Sequence, residues 1–95
     1  MLAISEQNDT VTLQISGKFD FHVIKEFHQA LTRTPRTWVV DFTAVEYVDS
    51  SALGMLLLLR ERVNGDALRV QLRGLHGQPR EVLRMAKFDR MFKLD

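Results

Sequence analysis

Polar and apolar residues alternate over residues 10–16. Val11, Leu13 and Ile15 fall on one side, and Thr10, Thr12, Gln14 and Ser16 on the other. A period of two predicts a strand with one buried face. Residues 3–5 predict a short strand paired to it through the turn-rich Glu6-Gln7-Asn8-Asp9, and Gly17 is expected to end the longer strand. From Asp20 the period changes. Val23, Ile24, Phe27, Ala30 and Leu31 share one helical face, and Thr34-Pro35 is expected to stop that helix. Asp20 or His22 could start it; Asp is the stronger cap because its carboxylate accepts from free backbone N–H groups. Trp38-Val39-Val40-Asp41-Phe42 reads as a central strand, and residues 45–48 as a loop or short extension. Residues 50–64 then read as a helix closed by Asn64-Gly65. Its first part is apolar on nearly every side, which predicts burial on several faces. Leu68, Val70 and Leu72 alternate with Arg69, Gln71 and Arg73 as a further strand. Residues 74–77 follow as a loop. Pro79 suits the first turn of a last helix running to about Ala86, and Phe88, Met91, Phe92 and Leu94 are expected to pack back onto the core. The order β-β-α-β-α-β-α predicts an α/β fold: a mixed, mostly parallel sheet of about four to five strands covered by helices.

A length of 95 residues leaves room for one domain, residues 1–95. That demotes most large enzyme classes. The longest apolar stretch, residues 52–59, is interrupted by Gly54 and falls far short of the roughly twenty residues of a membrane span. The first residues carry neither a basic region nor an apolar run, so no signal peptide is read and a cytoplasmic protein without membrane attachment is expected. The absence of cysteine excludes disulfide scaffolds, thiolate metal sites and cysteine nucleophiles. Net charge is +1, unevenly spread: residues 1–59 hold four Lys/Arg against seven Asp/Glu, and residues 60–95 nine against five.

That asymmetry raises the question of nucleic acid. Arg80, Arg84 and Lys87 fall at i, i+4 and i+7 of the last helix, with Arg69 and Arg73 on the neighbouring strand. No aromatic residues interleave with them as stacking platforms, so no nucleic-acid partner is assigned. The same face could receive an acidic protein surface instead. Ser50 or Ser51 with His22, His28 or His76 supplies the residue types of a serine hydrolase, but no G-x-S-x-G elbow is present. His22 and His28 are six apart and do not share a helix face, so the histidines suggest no metal site.

The most informative segment is Val48-Asp49-Ser50-Ser51-Ala52-Leu53-Gly54. Polar residues stand abruptly between a strand region and an apolar helix, and Asp49 or Ser50 is the expected N-cap. Ser51 falls in the first helical turn. A hydroxyl here lies where free N–H groups and the positive helix end favour an anion. A phosphate on Ser50 would carry about −1.5 to −2 charges. It would gain from the helix end and be repelled by Asp49, and by Asp20 if that carboxylate is close.

The segment from Val40-Asp41-Phe42 through Val48-Asp49-Ser50-Ser51-Ala52-Leu53-Gly54 resembles the signature of STAS domains, and within them the stand-alone anti-sigma factor antagonists. Gly17-Lys18-Phe19-Asp20 is similar to that family's "G-x-hydrophobic-D" turn, and Phe88-Asp89-Arg90-Met91-Phe92 to its "F-D-x-x-F" ending. Ala52 departs from the Gly of many relatives, and Ala is the better helix former. The resemblance covers essentially the whole chain and implies partner switching. An unmodified antagonist binds an anti-sigma factor, often itself a serine protein kinase, and frees the sigma factor. Phosphorylation reverses this, and a serine phosphatase resets it. The phosphorylated form can also hold a second effector. The phosphosite maps to Ser50. Asp49 and Asp20 shape its electrostatics, and Ser51 and Gly54 share its docking surface, Gly54 by allowing close backbone approach. The ATP and metal of such systems belong to the partners, so no cofactor and no catalytic residue is assigned. A STAS domain can also serve unphosphorylated, as a scaffold or adaptor subunit of another complex such as one for lipid transport.

Overall fold

The computed structural model describes residues 1–94. β1 (Leu2–Gln7) and β2 (Thr10–Phe19) form an antiparallel hairpin with Gln7 opposite Thr10. Asn8 and Asp9 make the turn with φ of 53° and 61°, the left-handed pair that matches strand twist in two-residue hairpins. A 3-10 turn (Phe21–Val23) leads into α1 (Ile24–Ala30), then β3 (Thr37–Val48), α2 (Ser50–Arg62) and a second 3-10 turn (Ala67–Arg69). β4 (Val70–Arg73), α3 (Gly77–Met85), a third 3-10 turn (Phe88–Arg90) and β5 (Lys93–Leu94) complete the described chain.

The sheet order is β1-β2-β3-β4-β5, and every pair after the hairpin is parallel. Consecutive parallel strands joined by right-handed crossovers place all their helices on one face. Burial agrees. Val11, Leu13, Ile15, Trp38, Val40, Phe42, Val70 and Leu72 are buried against Phe27, Leu56, Leu59 and Leu83 of the helices. Their neighbours Gln14, Asp41 and Arg73, which lie in register across three strands, remain half-buried or exposed on the opposite face. The expected mixed, mostly parallel sheet of about four to five strands is therefore present with five, the last being the two-residue β5, and its helices lie on one side.

Four expectations are corrected. Gly17 does not end β2, which continues to Phe19; Gly17 adopts φ +75° where the pairing to β3 shifts register. For residues 45–48 the loop alternative is corrected to the extension: they are the last third of one twelve-residue strand. Between Gln14/Ser16 and again between Gly17/Lys18, β3 carries one extra residue relative to β2. Each bulge resets the inward face, so the buried residues run Trp38, Val40, Phe42 and then Val45, Val48 at spacing three. That break in period is what made the segment look like two pieces. Leu68, expected to point inward, is 83% exposed. The Asp66 carboxylate accepts the Leu68 N–H at 3.0 Å and closes a 3-10 turn there, so β4 starts at Val70. Finally, α2 is not buried on several faces. Ala52, Met55, Leu56 and Leu59 face the sheet, while Gly54, Leu57 and Leu58 lie open because nothing covers the helices from outside.

β3 outruns β4 beyond the Asp41–Arg73 pair, and its free edge is closed by side chains. The Thr43 N–H and hydroxyl both donate to Asp41 Oδ1, and Arg73 Nη2 donates to Asp41 Oδ2 at 3.1 Å. Partial burial works against the Asp41 charge, but these bonds outweigh it and hold its pKa below the ordinary carboxylate value. His76 Nε2 meets the Thr43 carbonyl at 3.0 Å; a carbonyl only accepts, so that nitrogen carries the proton. Gly74 turns the chain here with φ +74°, and a Cβ would strike the Thr43 hydroxyl and come within 3.0 Å of its backbone nitrogen. Gly74→Ala is expected to lower unfolding free energy by about 2–3 kcal/mol, combining left-handed strain with overpacking. Urea titration of the two proteins checks this.

Candidate functional site

β2 and β3 run parallel and finish together, with Phe19 beside Val48. The residues that follow, Asp20 and Asp49, therefore lie at the same edge of the sheet, and each caps the helical turn after it. Asp49 Oδ1 accepts from the N–H of Ser51 at 3.0 Å and of Ala52 at 3.2 Å. Of the two caps the local pattern offered, Asp49 and Ser50, it is Asp49 that caps α2, and Ser50 is the first helical residue. The Ser51 hydroxyl also donates to Asp49 Oδ1, so it is held inward as part of the cap. The Ser50 hydroxyl is exposed and makes no hydrogen bond among the described residues. Of two adjacent serines, only the first is free for chemistry.

Asp20 is 7% exposed and is the one charged residue among the buried described positions. Its Oδ1 accepts the His22 N–H at 3.0 Å and contacts His22 Nδ1 at 3.0 Å. The backbone bond from His22, then its ring and nearby Lys18, outweigh the cost of burial and hold the Asp20 pKa below its ordinary value. Asp20 is thus an ionised cap on a rigid base: Phe19 packs on Phe27 at 5.9 Å and on Phe42 at 5.8 Å between ring centroids. Phe21 stacks on His22 at 4.1 Å and is 61% exposed, an aromatic surface next to Asp20 in sequence.

The outward stripe of α2 carries Ser50, Gly54, Leu57 and Leu58 at i, i+4, i+7 and i+8. Leu57 and Leu58 are 40% and 39% exposed. A Cβ built on Gly54 would meet nothing within 4 Å. No contact within the chain requires glycine there, although glycine in a helix interior costs about 1 kcal/mol relative to alanine. The tertiary structure therefore joins Asp20 to Asp49, Ser50 and Ser51 at one edge, and extends the surface along α2 through Gly54. His28 is exposed on α1, and among the described residues no group of His, Asp and Glu could hold a metal. Lys87 lies past the end of α3 in a left-handed conformation, so it does not continue the helical row of Arg80 and Arg84.

The sequence reading missed Gln78. From the first turn of α3 its side-chain Oε1 accepts the Val48 N–H at 2.9 Å, and its Nε2 donates to the Val48 carbonyl at 3.0 Å. One primary amide takes the place of an absent neighbouring strand and fixes the residue before Asp49. A contact thirty residues apart leaves no local signal. Phe21 was missed too, although an aromatic off the Val23-Phe27 face was a visible cue. Gln78→Ala is expected to cost about 1–2 kcal/mol, since it leaves two backbone groups without partners. Hydrogen exchange should accelerate at the Val48 amide specifically, and unchanged exchange there would remove Gln78 from the site.

The chain was compared with known proteins. The sequence model of the family described as "Mlab, STAS domain" matches residues 2–94. A STAS-domain containing protein of Pseudomonas aeruginosa (strain UCBPP-PA14) is 40% identical over 93 residues, covering 95% of this chain and 92% of that protein. The anti-sigma factor antagonist SpoIIAA in its unphosphorylated form superposes with a TM-score of 0.80 at 16% identity, over 100% of this chain and 87% of that one. A sulfate transporter family protein from Wolinella succinogenes superposes with a TM-score of 0.75 at 18% identity, over 93% and 77%. The two structural likenesses show the fold, shared by antagonists and a transporter-family protein alike. With the family match and the 40% identical relative, the residues gathered at the β2–β3 edge stand on an established scaffold: this chain belongs to the STAS-domain family.

Proposed function

We propose that this chain is a single STAS domain over residues 1–95 that acts as an anti-sigma factor antagonist through phosphorylation-controlled partner switching. The observation that carries the reading is the free Ser50 hydroxyl, exposed at the first position of α2 while its neighbour Ser51 is tied into the cap. The unmodified protein docks an anti-sigma factor on the stripe of Ser50, Gly54, Leu57 and Leu58, and the sigma factor goes free. That partner, a serine protein kinase, transfers phosphate to Ser50, and a serine phosphatase removes it. The chain is then a substrate and a binding partner, cytoplasmic and not itself an enzyme. In support, the antagonist SpoIIAA, which shares the fold, also occurs in a phosphorylated form.

The electrostatics fit a switch that spares the fold. A phosphate on Ser50 would enter a site already holding the Asp49 and Asp20 carboxylates. The helix N-terminus offsets part of that repulsion. Core residues Ala52, Met55, Leu56 and Leu59 lie on the other side of α2 and would not move. The added charge would instead stand at the head of the stripe that runs through Gly54 to exposed Leu57 and Leu58, about 10 Å further along α2, and would oppose an apolar partner laid along it.

The second reading is a constitutive scaffold or adaptor subunit, for example of a lipid-transport complex. It is favoured by the same apolar stripe, which is exposed with Ser50 unmodified, and by the family model's description, which names Mlab. Ser50→Asp and Ser50→Ala, used as baits in cells, separate the two. Partner switching expects Asp to weaken capture of the anti-sigma factor on the order of tenfold or more, about 1.4 kcal/mol, while Ala retains it. Equal capture by both variants, with no phosphate on Ser50 by mass spectrometry, leaves the scaffold. Gly54→Ala provides an independent measure. It is expected to raise unfolding free energy by about 0.5–1 kcal/mol and yet weaken partner binding, because the added methyl blocks close approach. Binding that stays as tight as in the parent protein would show that no partner backbone comes near Gly54.

A further inference from the structure

At the end of the molecule opposite Ser50, three arginines from separate parts of the chain line one small hollow. Arg33 follows α1, Arg62 is the last residue of α2, and Arg69 immediately precedes β4; Thr34, Pro35 and Trp38 complete the wall. α2 spans thirteen residues, roughly 20 Å, so the hollow and the candidate phosphosite are separate places. We propose that this hollow is an anion-binding site that takes a single phosphoryl group.

Two of the three guanidinium groups are already oriented. Arg69 donates from Nε to the Arg36 carbonyl at 2.7 Å and from Nη2 to the Pro35 carbonyl at 3.2 Å. Three of its five N–H groups remain. Arg33 donates from Nη1 to Glu6 at 2.9 Å, which holds it in place and leaves its other donors. Arg62 is exposed and has no hydrogen-bond or ion-pair partner among the described residues. A lone arginine at this position would need no explanation, because a positive charge complements the last turn of a helix. Convergence with Arg33 and Arg69 is not required by that role and costs mutual repulsion.

No carboxylate lines the hollow. Glu6 is engaged by Arg33. Asp9 and Asp66 line the adjoining depression with Arg36 and Arg69, and their Oδ1 atoms accept the Arg36 and Leu68 backbone N–H groups. The charges of Arg62 and Arg69 are therefore left for a ligand, while Arg33, paired with Glu6, offers its remaining donors. The hollow is small, about 70 Å³, with room for one oxyanion head between the arginines. Guanidinium forks match carboxylate and phosphoryl oxygens, and three of them favour the doubly charged phosphoryl group over a single carboxylate. The group could be free orthophosphate or one borne on a phosphorylated side chain; the chemistry read by the arginines is the same. The site does not rest on any role for Ser50.

Titration of the intact protein with sodium phosphate, followed by NMR of the arginine Nε–H signals at constant ionic strength, tests the proposal. Saturable shifts at Arg33, Arg62 and Arg69 are expected, absent when chloride replaces phosphate. Arg62→Gln removes an exposed side chain without touching the core, and should weaken the affinity at least fivefold. Arg36→Gln, on the adjoining depression, should leave it within twofold. Shifts that never saturate, that chloride reproduces, or that survive Arg62→Gln would overturn the site. Phosphoserine run in parallel assigns the source. Binding tighter than orthophosphate points to a protein-borne group, weaker binding points to the free ion, and failure of both overturns the proposal.

Discussion

The parallel pairing of β2 with β3 is the constraint on which the rest depends. It sets Phe19 beside Val48, so two chain segments leave the sheet at one edge, each through an aspartate that caps the turn it enters. The pairing is also where the sheet is most distorted. Two extra residues in β3 are absorbed as bulges, and the strand still returns Val45 and Val48 to the core. Without those bulges strict alternation would put Val45 on the open face and Ala44 and Glu46 against the core. The core beneath, with Phe19 against Phe27 and Phe42, resists such a slip because each ring fills space that no neighbour can fill.

A second consequence follows from the order of the strands. Because they are consecutive, the helices share one face, and among the described residues no further layer covers them. α2 is left with an inner face that stabilises the fold and an outer face that has no structural partner. Leucines at 57 and 58 on that outer face, and a glycine at 54 without an intramolecular reason, are costs to solubility and helix stability. Such costs are understandable where another protein completes the surface.

The site divides its labour between neighbouring residues of the same kind. Ser51 and Asp49 close on each other and define the start of α2, while Ser50, one position earlier, is left to solvent. Asp20 is tied by His22, and Gln78 holds Val48 from across the sheet edge. The exposed hydroxyl thus rides on a base whose backbone groups are satisfied.

By itself the sequence determined what depends on near neighbours. The alternation over residues 10–16, the Asp49 cap two and three residues before its N–H partners, and the apolar face of α1 are all local, and all are present in the structure. The Gly17-Asp20 and Asp49-Gly54 motifs also carried the family resemblance. Tertiary structure alone decided what depends on distant partners. Residues 45–48 became strand because β2 pairs with them, Leu68 turned outward because the local turn closed by Asp66 is anchored through Arg69 to Pro35 and Arg36, and α2 was half-exposed because no layer of the described residues lies over it. Gln78 met Val48, and three arginines met in one hollow, through contacts spanning about thirty residues. Hydrophobic period reports which residues would gain from burial; only the packed chain decides which of them find cover.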